Sequence, residues 1–124
     1  AEQGLGNASV SADCWPQHAL TAARYDLVIS SMVMHHLDDV AAFLAAAYGS
    51  LRPGGAVCLA DLDVEDGTFH PPEAEGIFHH GFDREVFRGW LRDAGFGAAT
   101  FETLHTVDRD GRPFPIFAVT ARKD

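Results

Sequence analysis

Two adjacent histidines, His35 and His36, stand just past an apolar run and are the sharpest polar signal in the chain. An imidazole titrating near neutrality can take a proton from an attacking nucleophile or orient a substrate. The plainer alternative is a ring packed at a helix start and bonded to backbone. Neighbouring side chains on one α-helix point in different directions, so the two are not expected to act as a pair. His70, His79 and His80 fall with Glu73 and Glu75 in an irregular stretch. Their spacing matches no H-E-x-x-H zinc pattern, and no metal ligand is assigned. The run Asp61 to Gly67 looks like a calcium loop, but Asp66 stands where glycine is required and Pro72 where a bidentate glutamate is required. A solvated acidic turn is the better reading. No Ser-His-Asp or Cys-His set stands in recognisable order.

The elements that would position these residues follow from periodicity. Asn7 to Asp13 reads as a short strand ending at the acid, and Pro16 suits the first turn of a helix over Gln17 to Ala23. Tyr25 to Ser30 reads as an apolar run, interrupted at Asp26 and too short for a helix, so it predicts a buried parallel strand. Asp38 or Asp39 caps the next helix, in which Val40, Phe43, Leu44, Ala47 and Leu51 recur at helical spacing. Pro53-Gly54-Gly55 is expected to stop it, and Ala56 to Leu62 forms a second buried strand. Val64 to Gly81 loses all periodicity, as a loop covering a site does. Asp83 caps a helix over Glu85 to Arg92, with Val86, Phe87, Trp90 and Leu91 on one face and Gly95 at its end. Ala99 to Val107 and Pro115 to Arg122 alternate as strands. The short Asp108-to-Gly111 joint between them has no room for a crossover, so they must run antiparallel.

The chain has 124 residues, a 47% apolar fraction and a net charge of −9, which describes one globular domain. Its nine basic residues are scattered, which argues against nucleic acid or an anionic membrane as partner. No apolar run approaches the ~20 residues that span a bilayer. Cys14 and Cys58 form no disulfide framework and read as small buried hydrophobes in a reducing cytoplasm.

The order strand, helix, strand, helix, strand, long loop, helix, hairpin describes an α/β, Rossmann-like, mostly parallel sheet with a C-terminal antiparallel hairpin. With the Tyr25-Asp-Leu-Val strand, the His35-His36-Leu37 segment, the Leu51-Arg-Pro-Gly-Gly turn, and Gly81-Phe82-Asp83 leading to Ala94-Gly95-Phe96, it resembles the latter part of class I S-adenosylmethionine-dependent methyltransferases. On that resemblance residues 1–124 are a single domain truncated at its N-terminus, without the first strand and its glycine-rich loop. Glu2-Gln-Gly-Leu-Gly6 is a poor substitute for that loop: no strand precedes it, and strand-like residues follow. It fits a helix end better.

The resemblance implies S-adenosylmethionine as cofactor and a small molecule as methyl acceptor. It implies that the Asp13 carboxylate accepts a hydrogen bond from the adenine amino group, with the Cys14 backbone N–H facing a ring nitrogen. Asp13 could equally cap the helix beginning near Pro16. Ser30, Ser31 and Met32 would line the methionine and its reactive methyl, and His35 or His36 would serve the acceptor. Without a first strand, Tyr25 to Ser30 exposes an edge. The edge predicts a homodimer, self-pairing by Asn7 to Asp13, or pairing with a missing N-terminal segment. A non-catalytic interaction or scaffold domain that keeps the sheet is the alternative to the enzyme.

Overall fold

A computed structural model describes residues 23–71 and 73–124. The expected strand at 7–13 and the helix after Pro16 lie outside the described residues, as do Asp13 and Cys14. Ala23, expected at the end of that helix, sits in a turn at φ 48°. Strand β1 covers Tyr25–Ser31, and a single 3-10 turn covers Met34–His36. Helix α1 (Val40–Ser50), strand β2 (Leu51–Leu62), helix α2 (Arg84–Ala94) and strands β3 (Thr100–Arg109) and β4 (Arg112–Arg122) follow. The sheet order is β1-β2-β4-β3. β1 and β2 are parallel, and β4 runs antiparallel to both β2 and β3.

Alternation along the strands places Val57, Leu59 and Asp61 on one face of β2, opposite Ala121, Val119 and Phe117 of β4. That face carries the core. Val40, Leu44 and Ala47 of α1 and Phe87 and Leu91 of α2 pack on it, each large apolar side chain contributing about 1.5–3 kcal/mol. Asp39 is the cap of α1, accepting from Ala42 N–H. Asp83 caps α2, accepting from Glu85 and Val86 N–H.

Several expectations need correcting. Pro53-Gly54-Gly55 does not separate helix from strand: α1 has already ended at Ser50, and the tripeptide lies inside β2. There the pairing jumps from Tyr25 with Leu51 to Leu27 with Ala56, so the three residues bulge out of the ladder. Val86 is exposed, because the buried stripe of α2 is carried by Phe87 and Leu91. Cys58 is exposed too. It lies beside Ile29 on the sheet face away from both helices, at the part of that face not covered by the small cluster of Leu62, Phe69 and Phe114. Leu27 and Ile29 of β1 are likewise exposed on that side, and β2 is the only strand paired with β1 among the described residues. No helix of the described residues is long and apolar enough to cross a membrane, which leaves β-barrels unaddressed.

The hairpin turn is two residues long, with Asp110 at φ 52° and Gly111 at φ 76°. These are the positive angles that a tight two-residue hairpin demands. Gly81, at φ 75°, closes the long loop where Phe82 bridges to Asp63. A Cβ at Gly81 would collide with the Asp63 carbonyl, whereas one at Gly111 would meet open space. The two glycines therefore separate backbone strain from close approach. Gly111→Ala is expected to cost about 1 kcal/mol, and Gly81→Ala well over ~2 kcal/mol more, as forced backbone overlap does. Chemical denaturation of both variants checks the order; equal losses would contradict it.

Candidate functional site

Asp61 has no solvent exposure, and the chain supplies its donors. Its Oδ1 accepts from Leu62 N–H at 2.8 Å and lies 2.7 Å from His35 Nδ1, while its Oδ2 accepts from His35 N–H at 3.2 Å. β1 delivers His35 to this position. At its end Met32 takes a left-handed φ of 58°, its N–H still bonded to Ala60 O, and the chain then coils into the 3-10 turn. A non-glycine residue in that region costs of order 1 kcal/mol, which the ladder bond and the buried pair offset.

With Nδ1–H given to the carboxylate, a neutral His35 ring keeps its lone pair on Nε2. His36 reaches the same state by another route. Its Nδ1 lies 2.9 Å from the Gly76 carbonyl, which can only accept, so Nδ1 donates and Nε2 keeps the lone pair. The expectation that these two rings diverge is not met. Their centroids are 4.3 Å apart, although both residues lie in the same 3-10 turn.

The long loop packs across this turn. Phe78 and His79 N–H both donate to His35 O, and His79 Nε2 donates to Leu37 O. On the other side Arg109 donates to Phe69 O at 2.7 Å and stacks over the Phe69 ring, and Arg112 pairs with Asp66. Arg84 grips Asp63 through two hydrogen bonds of 2.7 and 2.8 Å at the loop's start. So held, the loop lays the His70 ring 5.0 Å from His35 and 6.2 Å from His36. Burial holds the His70 imidazole below the ordinary histidine range, with His35 and His36 pushing the same way.

Ser30, Ser31 and Met32 do stand at the carboxyl end of β1, where parallel sheets place ligand chemistry. Met32 packs against the small cluster of Leu62, Phe69 and Phe114. Phe69 of the long loop is buried in that cluster, while Phe78 is exposed. His70, His79 and His80 are not brought together: His79 is engaged by Leu37, and His80 lies 3.7 Å from Glu65. Asp61 stands at the carboxyl end of β2, and its bond to His35 is visible only in the folded chain. Nothing local in sequence to His70 links it to His35.

A sheet ordered β1-β2-β4-β3 with a returning antiparallel strand and helices packed on it is the class I S-adenosylmethionine-dependent methyltransferase fold. The chain belongs to the methyltransferase domain family, whose model matches residues 4–100. It is similar to a ubiquinone biosynthesis O-methyltransferase of Parvibaculum lavamentivorans, 38% identical over 65 residues that make up 51% of this chain and 24% of that protein. It is also similar to a highly reducing polyketide synthase of Strobilurus tenacellus, 30% identical over 94 residues, or 76% of this chain and 3% of the synthase. The chain thus spans a quarter or less of the length of these curated relatives. Among solved structures, phosphoethanolamine N-methyltransferase 2 of Haemonchus contortus in complex with S-adenosyl-L-methionine superposes with a TM-score of 0.67 at 13% identity, over 86% of this chain and 35% of that one. An S-adenosylmethionine-dependent methyltransferase of Mesorhizobium loti gives 0.66 at 19% identity, over 86% and 66%.

The buried pair should matter far more to stability than a surface one. Asp61→Asn removes an acceptor site facing three N–H groups and is expected to cost about 3 kcal/mol or more. Asp26→Asn, in an exposed pair 3.1 Å from Arg52, is expected to change stability by less than ~0.5 kcal/mol. Urea denaturation of both variants decides; a comparable small loss in each would refute the assigned role of Asp61.

Proposed function

We propose that this chain supplies the C-terminal part of a methyltransferase fold and serves S-adenosylmethionine-dependent methyl transfer to a small molecule. The observation that carries the reading is the His35–Asp61 bond at the carboxyl ends of two adjacent parallel strands. The family match supports it, and the scattered basic residues of an acidic chain favour a small acceptor.

The residues present suit such a donor. Two serine hydroxyls end β1, the chain turns sharply at Met32, and imidazoles with free lone pairs stand directly beyond. S-adenosylmethionine, when bound, supplies an electrophilic methyl on a positively charged sulfur. In this reading Asp13 and the Cys14 N–H hold the adenine, and Ser30, Ser31 and Met32 line the methionine end. His35 and His36 meet the acceptor, orienting its nucleophilic atom and easing the departure of its proton. Asp61 is a positioning residue: it fixes the His35 ring and its tautomer.

Calorimetric titration with S-adenosylmethionine, followed by assay of methyl transfer to small phenol, amine and thiol acceptors, tests the proposal. Binding to the chain alone is expected to be weak or absent, and saturable in a longer protein that carries it, where Asp13→Ala weakens it about tenfold or more, the loss of one good hydrogen bond. His36→Ala is expected to lower kcat by about 10²-fold with donor affinity unchanged. No binding to the chain, alone or within a longer protein that carries it, would leave the interaction-domain reading in its place.

A further inference from the structure

We propose that His35, His36 and His70 form a binding site for a divalent transition-metal ion of the zinc type. One ring nitrogen from each lies within 4.8 Å of those of the other two. Zinc–nitrogen bonds of about 2.0–2.1 Å put tetrahedral ligand nitrogens roughly 3.3 Å apart, so the cluster needs only a modest contraction. Rotation of the exposed His36 and half-buried His70 rings can provide it.

Three features make this more than proximity. His35 Nδ1 is committed to a buried carboxylate, and His36 Nδ1 to a backbone carbonyl. Those are the two outer-shell partners that metal-bound histidines characteristically have, and each leaves Nε2 as the ligand atom. The third is His70 Nδ1, which is buried and has no hydrogen-bond partner among the described residues. A polar atom in that state costs free energy unless something engages it. An ion contacted by His35 and His36 would engage it directly.

Neutral imidazoles with no carboxylate among the direct ligands suit Zn²⁺, Co²⁺ or Ni²⁺ and not Mg²⁺ or Ca²⁺. Asp61, immediately behind His35, offsets part of the ion's charge. Three protein ligands leave a tetrahedral ion one further position. That position is open to water or another small oxygen or nitrogen ligand. Binding of the ion itself does not rest on the methyl-transfer reading.

The test uses Co²⁺ and Zn²⁺ alone with the 124-residue chain. Co²⁺ is expected to bind one per chain with the visible absorption of a tetrahedral nitrogen-rich site. His36→Ala and His70→Ala should each weaken binding at least about 100-fold, while His105→Ala and Cys58→Ser leave it unchanged. In the unmodified chain, where folding of a variant is not in question, Zn²⁺ should shift the ring ¹⁵N resonances of His35, His36 and His70 and of no other histidine. Absence of stoichiometric binding, binding that survives loss of His36 or His70, or ¹⁵N shifts at other rings would each overturn the proposal. None of these readouts passes through methyl transfer, so failure here and failure of that reading are distinguishable.

Discussion

A carboxyl group sealed from solvent must find its donors within the protein, and at Asp61 this requirement organises everything beside the strand ends. β2 alternates, so Asp61 falls on the same face as Val57 and Leu59, looking into the apolar layer. Two backbone N–H groups and one imidazole satisfy it. Because one of those N–H groups belongs to His35 itself, the carboxylate holds both the ring and the backbone of the turn after β1. The pair is a registration device as much as a polar contact: it ties the end of one parallel strand to the segment leaving the next.

The long loop is irregular but not loose. It is closed at its base by the bridge between Asp63 and Phe82, clamped by Arg84, and bonded to the His35 carbonyl by two successive N–H groups. Arg109 and Arg112 on the β3–β4 hairpin tie down its other side. The hairpin therefore reaches the site through the loop, by fixing where His70 lies. The antiparallel end of the sheet thus sets where a histidine ring stands beside the carboxyl ends of the parallel strands.

The sheet is served unevenly. Both described helices pack on one face, and the other presents Leu27, Ile29 and Cys58. Periodicity foretold the buried face well, since the hydrophobic effect acts on every residue of a strand or helix regardless of what lies far away. It misjudged Cys58 because burial of a strand's second face depends on a covering layer, not on the strand's own composition. Val86 failed for a related reason. A stripe drawn from sequence is wider than the strip of helix that meets the sheet.

What the sequence by itself determined among the described residues was local: two capped helices, four strands, a hairpin joint between the last two and an aperiodic stretch between Val64 and Gly81. Each follows from rotamer preference, capping chemistry or hydrophobic period acting over a few residues. Family resemblance was legible for the same reason, being carried by short motifs in order. The identity of the site was not. His35 meets Asp61 across 26 positions of sequence, and His70 approaches both only after a loop has been pinned by arginines from the far hairpin. Side chains so distant along the chain are neighbours only once the sheet register and loop anchors are set, and those are properties of tertiary packing, where local preference has no say.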